Sequence, residues 1–264
     1  MAARAYAPTT GLAAEQIHLL RARAVLGRLP HTVASHLTAA ALWQLPVQGS
    51  HLEVVQISPT ADRRGRPKSA PGYRMHSRAI PGDRRAEHEG IPVTDPLLTV
   101  LDSARVLDPD WGVVMADAAL RKGLIDLTGL ASGASLVARL RGSARARRLP
   151  DVVNSSAESP GESLLRLRLQ RMGLDPVPQV VIGAYRVDFL IEDCLVVEFD
   201  GRSKYEVDAD PELAHWKAKV RHDELTETGR EVLHVTWGDL WHEPVLGSRV
   251  RQALGRARSR RGRW

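Results

Sequence analysis

The sequence predicts an α/β protein in two parts, an α+β N-terminal half and a C-terminal half with helices around a mixed sheet. Short runs rich in β-branched residues alternate with longer stretches whose apolar residues recur every three or four positions. With 264 residues, 43% of them hydrophobic, the chain has room for one large or two ordinary domains. The predicted parts are a domain at 1–150, a linker at 151–158, a second domain at 159–255 and a basic tail at 256–264.

The N-terminal half is predicted to alternate helices with short strands. In chain order we expect helices near 13–26, 35–43, 96–107, 110–121 and 126–139, and strands near 51–58, 72–78 and 91–94. Ser35 is placed to cap the second helix, and Asp95 followed by Pro96 is typical of a helix start. His36, in the first turn after Ser35, is interpreted as a partly buried histidine rather than a catalytic one.

The C-terminal half contains a capped helix followed by three consecutive strands. Ser159 and Pro160 are typical of a helix start, and apolar residues recur at helical spacing behind them. The predicted strands lie near 179–182, 185–191, 194–200 and 231–237, with a second helix near 210–229 before the last of them.

Three carboxylates fall within two of these strands. Asp188 lies in the middle of an apolar strand, and Glu198 and Asp200 share one face of the next. A half-buried group of acids is costly unless a cation neutralises it, and carboxylate oxygens suit Mg²⁺ or Mn²⁺. The sequence therefore predicts a metal site at Asp188, Glu198 and Asp200. The alternative, which spacing alone leaves open, is a pair of strand ends with ordinary surface acids.

Two further kinds of residue could serve such a site. Glu162 either completes a capping box with Ser159 or helps to position a water molecule beside the metal ion. Lysine is rare in this arginine-rich chain, yet Lys204, Lys217 and Lys219 all follow the acids closely. A lysine kept where arginine is the usual cation suggests a role for a compact ammonium group.

The order of these elements resembles the PD-(D/E)xK nuclease superfamily and, more narrowly, proteins similar to the very-short-patch-repair endonuclease. The resemblance covers about residues 157–242 and rests on Glu162, Val187-Asp188-Phe189, Glu198-Phe199-Asp200-Gly201, Lys204-Tyr205, Trp216, Lys219, Arg221, Asp223 and Val235-Thr236-Trp237. It implies a restriction-endonuclease-like α/β/α core that hydrolyses phosphodiester bonds. The superfamily usually has a lysine two residues after the glutamate, and here that position is Asp200.

This resemblance also implies a role for each residue. Asp188 and Glu198 would hold an Mg²⁺ or Mn²⁺ ion that activates water, with Asp200 assisting. Either Lys219 or Lys204 supplies the missing ammonium, or the site is degenerate. We expect Lys219 to supply it, because it matches the family's helix position. If Lys219 instead points to solvent, an inactive regulator becomes the better interpretation.

The N-terminal half resembles the body of AbiEi-type antitoxin-like proteins. The segments that carry the resemblance are Ser35 to Trp43 and Ile91 to Asp102. In that family a winged helix-turn-helix usually comes first, and this chain begins about where such an element would end. The resemblance implies a regulatory protein with a possible toxin partner.

The charge of the chain favours a polyanionic partner. The isoelectric point is near 9.9 and the net charge is +6, which predicts DNA binding through phosphate contacts. The expected contact residues are Lys204, Arg221 and the arginines before the linker, Arg145, Arg147 and Arg148. No apolar run approaches 18 residues, no signal-peptide pattern is present, and Cys194 is alone, so a cytoplasmic protein is expected.

Two hypotheses of function follow from the sequence. The first is a metal-dependent DNA endonuclease or nickase that acts in DNA repair or phage defence. The second is a catalytically inactive, antitoxin-like regulator that binds DNA or a toxin. The sequence contains no nucleotide-binding glycine motif, no zinc-ligand spacing and no serine-nucleophile motif that would favour another chemistry.

Overall fold

The computed structural model of the protein describes residues 12–61, 68–201 and 211–261, and in the last range the side chains of 216–260. The chain divides into two compact units, residues 1–153 and 154–264. Each unit combines helices with a mixed sheet, which confirms the predicted α/β class. Among the described residues, no helix is both long enough and apolar enough to cross a membrane.

The first unit has a five-stranded sheet in the order β3-β2-β1-β5-β4. Its strands are β1 (Thr32–Ala34), β2 (Val55–Pro59), β3 (Tyr73–Met75), β4 (Arg85–His88) and β5 (Ile91–Thr94). Its helices are α1 (Ala14–Leu26), α2 (His36–Leu42), α3 (Pro96–Val106), α4 (Pro109–Arg121), α5 (Leu127–Gly133), α6 (Ser143–Arg147) and α7 (Leu149–Val152). The sheet is mixed because β1 is antiparallel to β2 and parallel to β5.

Side-chain caps fix where α3 and α4 begin. The carboxylate of Asp95 accepts a hydrogen bond from the Leu98 N–H at 2.8 Å, and that of Asp108 accepts one from the Asp110 N–H at 3.0 Å. Proline follows each cap, where its missing N–H costs nothing. The cap predicted at Asp95 is therefore present in the structure.

The second unit has a four-stranded sheet in the order β6-β7-β8-β9. Its strands are β6 (Val177–Ile182), β7 (Tyr185–Ile191), β8 (Leu195–Asp200) and β9 (Glu231–Thr236). Its helices are α8 (Pro160–Arg171), α9 (Pro211–Glu227), α10 (Trp237–Leu240) and α11 (Glu243–Arg261). The first three strands are antiparallel neighbours, and β9 runs parallel to β8.

Helices α8 and α9 cover opposite faces of this second sheet. In α8, Gly161 lies so close to Phe199 that an added Cβ would be 2.0 Å from the Phe199 Cε1. In α9, Leu225 is buried in a cluster with Val196. Phe199 and Val196 are three positions apart in β8 and therefore point to opposite faces. The sheet thus lies between helices, as the α/β/α expectation requires.

The structure places helices where the sequence analysis expected a boundary and a tail. Helix α6 lies in the basic stretch before the predicted linker, and α7 extends into the first two linker residues; Ala146 of α6 and Leu149 of α7 are buried. Helix α11 runs to Arg261, through most of the residues assigned to a basic tail. Ala253 and Ala257 are buried on it, so small apolar residues among the arginines form a packing face.

Candidate functional site

A row of polar side chains crosses β7, β8 and β9. The pairing of Phe189 with Val197 sets Asp188 opposite Glu198 at the next position, and Glu198 is the register partner of His234. Residues opposite each other on neighbouring strands point to the same face of a sheet. Asp188, Glu198 and His234 therefore lie side by side, and Asp200 follows two positions along on the same face.

The carboxylate of Asp188 separates the two central strands. The pairing of β7 with β8 ends at Phe189 and Val197. One position further, the Asp188 Oδ2 accepts a hydrogen bond from the Phe199 N–H at 2.7 Å. A side chain thus satisfies a main-chain donor that would otherwise seek a partner in the neighbouring strand.

Arg221 of α9 lies where these strands separate. Its Nη2 donates to the carboxylate of Glu198, which is 6% exposed, and to the Arg186 carbonyl at 2.9 Å. Its guanidinium carbon is 5.3 Å from the centroid of the Tyr185 ring. Arg221 therefore links β7 to β8 and balances the charge of a buried carboxylate.

His234 connects the acids to α9. Its Nδ1 is 3.1 Å from the Asp200 Oδ2 and 3.9 Å from the Glu198 Oε2, and its Nε2 is 3.4 Å from the His222 Nδ1. The interaction with the Asp200 carboxylate raises the pKa of His234 above its usual value, although burial acts in the opposite direction. This pattern favours an imidazolium beside the two acids.

Glu162 and Gln179 join α8 to β6. The Glu162 Oε2 accepts hydrogen bonds from the Glu158 N–H at 2.8 Å and from the Gln179 Nε2 at 3.1 Å. Ser159 caps α8 by accepting a hydrogen bond from the Glu162 N–H. In a capping box the Glu162 carboxylate would accept from the Ser159 N–H, but here it accepts from the N–H of Glu158, the residue before the cap. Gln179 has φ +56°, a left-handed conformation that is uncommon for a residue with a side chain.

The position of Gln179 also bears on the carboxylates Asp188, Glu198 and Asp200, which we call the acid row. It falls between the register pairs Pro178–Phe189 and Val180–Val187, which places it across from Asp188. Glu162 is 7% exposed and accepts both of its hydrogen bonds on one oxygen. The structure thus gives Glu162 a cap-like role and a link to the strand beside Asp188.

The structure does not bring Lys219 to the acids as the sequence analysis expected. Trp216, Lys219 and Asp223 do share one face of α9, and all three are exposed. Residues 219 and 221 differ by about 200° around a helix, so their side chains point in nearly opposite directions. Arg221 and the buried Leu225 lie on the side of α9 that faces the sheet. Among the described side chains, Arg221 donates to Glu198, and the His234 Nδ1 lies 3.9 Å from it.

The other residues expected to contact nucleic acid are Lys204 and three arginines of the first unit. Lys204 lies outside the described residues. Arg145, Arg147 and Arg148 are exposed residues of the first unit. The Arg145 Nη1 donates to the Leu107 carbonyl at 2.6 Å, which holds α6 against the end of α3.

The acid row offers the donor chemistry of a metal site without being assembled as one. Carboxylate oxygens suit a hard divalent cation. Within the described residues, however, no three histidine, cysteine, aspartate or glutamate side chains form a group ready to hold a metal ion. Glu198 is engaged by Arg221, and Asp200 by His234. A cation that binds here must compete with those partners.

Sequence reasoning missed Gln179 and His234 and assigned Arg221 only to nucleic-acid contact. His234 looks like any histidine in an amphipathic strand until the parallel register with β8 is known. Gln179 looks like an ordinary strand residue, because its left-handed backbone leaves no mark on the sequence. Comparisons of the chain with protein-family models, curated proteins and solved structures found no match.

Proposed function

We propose that the second unit hydrolyses phosphodiester bonds in DNA with a divalent cation, as an endonuclease or a nickase. The observation that carries this proposal is the position of Asp188 across from Glu198, one step beyond the last register pair of β7 and β8. Two carboxylates side by side, with Asp200 on the same face, are the donors that Mg²⁺ or Mn²⁺ prefers. A guanidinium at the same place suits the phosphate group of a nucleic acid.

The residues would divide the work as follows. A metal ion held by Asp188 and Glu198, with Asp200 assisting, would bind a phosphate oxygen and lower the pKa of an attacking water. The Phe199 N–H fixes the direction of the Asp188 carboxylate before any substrate arrives. Arg221 would move its donors from Glu198 to the phosphate and stabilise the charge that develops there.

In this proposal Arg221 takes the role that the sequence analysis gave to Lys219. The family's motif lysine is absent, and Lys219 is exposed on the other side of α9. Arginine presents planar, paired donors that match two phosphate oxygens, so it can replace an ammonium for charge stabilisation. It remains protonated, so it serves as a charge stabiliser and does not transfer protons.

Two observations favour a second candidate, a catalytically inactive regulator that binds DNA or a toxin. Lys219 is exposed, which is the outcome that the sequence analysis connected with an inactive protein. Arg221 is paired with Glu198, and the His234 Nδ1 lies 3.1 Å from Asp200, so both acids have partners without a metal ion. In a regulator, these ion pairs would hold α9 and β9 to the sheet.

Cleavage of supercoiled plasmid with Mg²⁺ or Mn²⁺ tests the two candidates. We expect nicked or linear product from the wild type and from Asp223→Asn, which alters an exposed acid of α9, and none from Asp188→Asn. Circular dichroism should show the same fold in all three proteins. If none of the three proteins cleaves the plasmid although they bind it, the regulator is the better description. If Asp188→Asn cleaves as well as the wild type, the activity does not arise from this site.

A further inference from the structure

A cluster of histidines and arginines lies in the first unit, which contributes no residue to the acid row. His36, the first residue of α2, stacks on His76, which follows β3. Their ring centroids are 3.5 Å apart and their planes differ by 7°. His36 is buried and His76 is half-buried, so the stack leads from the interior towards solvent.

Hydrogen bonds fix the orientation of both rings. The His36 Nδ1 is 3.1 Å from the Ser35 Oγ, which accepts a hydrogen bond from the Ser58 hydroxyl at 2.9 Å. The His76 Nε2 is 3.0 Å from the Gln56 Oε1. One nitrogen of each ring is therefore held by the protein, and its position does not depend on a ligand.

The backbone of His36 is strained. Its φ is +51°, in the left-handed region that is unfavourable for a residue with a side chain. His36 and the preceding Ser35 are both buried. Strained residues of this kind cluster at ligand-binding and catalytic sites, where the surrounding structure maintains them.

Positive charge exceeds negative charge in this cluster. Asp102 is 1% exposed, and its Oδ1 accepts from the Arg105 Nη1 at 2.5 Å while the Arg78 Nη1 stands 3.7 Å away. The Arg78 Nη1 is buried and has no hydrogen-bond partner among the described residues. A buried donor without an acceptor requires an explanation, and a missing ligand is one. One carboxylate thus faces the guanidinium groups of Arg78 and Arg105, and the charge of Arg74 also acts on both histidines.

The same excess of positive charge contributes to lowering the pKa of both histidines. Burial, followed by the nearby Arg105, Arg78 and Arg74, lowers the pKa of His36 to about 3. Burial, His36 and two of those arginines lower the pKa of His76 to about 3, and Asp102 only partly opposes them. Both rings are therefore neutral near pH 7. The one N–H of His76 is at Nε2, where the Gln56 oxygen accepts it, so His76 can donate to an anion only through Nδ1 after taking up a proton.

We propose that this cluster is a binding site for a phosphoryl oxyanion, with Arg78 and His76 in direct contact with it. The unpartnered Nη1 of Arg78 is buried, but the side chain as a whole is 26% exposed, so a ligand from solvent must approach Arg78 from the exposed part of its side chain. Asp102 and Arg105 position Arg78, and His36 supports the ring of His76 from behind. Guanidinium groups bind phosphate oxygens through paired, charge-assisted hydrogen bonds.

The ligand chemistry has two sources, free phosphate groups and the phosphodiester backbone of a nucleic acid. Calorimetric titration of the full chain with inorganic phosphate, and separately with a short DNA duplex, distinguishes them. The titrations use the Asp188→Asn background, so that cleavage in the second unit cannot affect the result. Failure of the proposed nuclease would leave this measurement unchanged.

Arg78→Met removes the proposed contact, and Arg121→Met removes an equal charge from the exposed end of α4. We expect Arg78→Met to weaken binding about tenfold or more, and Arg121→Met to change it by less than about twofold. Loss with both ligands indicates a general phosphate site, and loss with DNA alone indicates a backbone contact. Where Arg78→Met does not fold, Arg78→Lys keeps the charge without the paired donors and should weaken binding several-fold.

A spectroscopic readout separates binding from a purely structural role. An anion beside His76 would raise its pKa, so the carbon-bound protons of the His76 ring should titrate at higher pH with ligand than without it. The proposal is overturned if the wild type binds neither ligand. It is also overturned if Arg78→Met binds as tightly as the wild type.

Discussion

The Asp188 carboxylate accepts a hydrogen bond from the Phe199 N–H, and the pairing of β7 with β8 ends there. The bond joins a half-buried acid to the main chain of the next strand, between Glu198 and Asp200. The donor that holds the Asp188 carboxylate is therefore a main-chain N–H, which is more rigid than a donor on a flexible side chain. The separation of the strands and the direction of the carboxylate therefore have the same cause.

The first prediction concerns metal binding by Asp188. Removal of its charge leaves Glu198, already paired with Arg221, as the nearest carboxylate in the row. Calorimetry should show Mn²⁺ binding by the wild type and at least about tenfold weaker binding by Asp188→Ala. Asp223→Ala is the matched control and should bind like the wild type. Equal binding by wild type and Asp188→Ala would show that the acid row is not the metal site.

The second prediction compares Arg221 with Lys219. Because Arg221 contacts Glu198 and Lys219 is exposed, Arg221→Met should slow plasmid cleavage about a hundredfold, and Lys219→Met less than about twofold. Arg221→Met should also bind Mn²⁺ more tightly, since the competing guanidinium is gone. A larger loss of cleavage in Lys219→Met would restore the lysine to the role that its sequence position suggested.

The third prediction tests the left-handed conformation of Gln179. Both Gln179→Ala and Gln179→Gly lose the hydrogen bond to the buried Glu162, but only glycine adopts φ +56° without strain. Urea unfolding should show the alanine variant less stable than the glycine variant by about 1 kcal/mol. An alanine variant as stable as the glycine variant would contradict a strained Gln179.

The fourth prediction concerns the close contact between Gly161 and Phe199. A Cβ at residue 161 would overlap the buried Phe199 ring, so Gly161→Ala should destabilise the protein by about 1–3 kcal/mol. Gly255 of α11 has open space around it, and Gly255→Ala should be neutral or stabilise by up to about 1 kcal/mol. Thermal unfolding of both variants measures the difference, and similar melting temperatures would contradict the packing of α8 on the sheet.

The fifth prediction is an acid sensitivity of the first unit. The folded pKa of His36 and of His76 is about 3, below the unfolded value of 6.5, so the unfolded chain binds more protons between these pH values. The free energy of unfolding should fall as pH drops from about 6.5 towards 3, by up to about 1.4 kcal/mol per pH unit for each histidine. Burial raises the pKa of Asp102, which opposes this loss at the acid end. Urea unfolding should show a shallower pH dependence in His76→Gln, and an unchanged slope would refute the origin in these rings.

The sequence predicted features that depend on local pattern. Alternation along two apolar strands placed Glu198 and Asp200 on one face, and the caps at Asp95 and Ser159 follow from residue type and spacing. The register that aligns Asp188 with Glu198 depends on the turn between the strands, and a shift by one residue would have turned the acids apart.

The features that escaped prediction depend on how elements pack. Helix α9 has a weak apolar stripe with Leu225 as a buried anchor, so the sequence does not decide whether Arg221 or Lys219 faces the sheet. The contact of His234 with Asp200 needs the parallel pairing of β9 with β8, strands more than thirty residues apart in the chain. Helix α11 was not predicted because its few buried apolar residues stand among many arginines; they are Leu246, Val250, Ala253, Leu254 and Ala257.

The parallel pairing of β8 with β9 has a consequence for folding during synthesis on the ribosome. Every carboxylate of the row precedes the crossover between these strands, whereas Arg221 lies on α9 within the crossover and His234 lies on β9 after it. During synthesis, which adds roughly 5–20 residues per second, the acids emerge seconds before their partners. The nascent hairpins thus carry uncompensated negative charge that resists close packing until α9 and β9 arrive. The last strand of the sheet therefore brings charge balance as well as hydrogen bonds, and it couples completion of the fold to completion of the site.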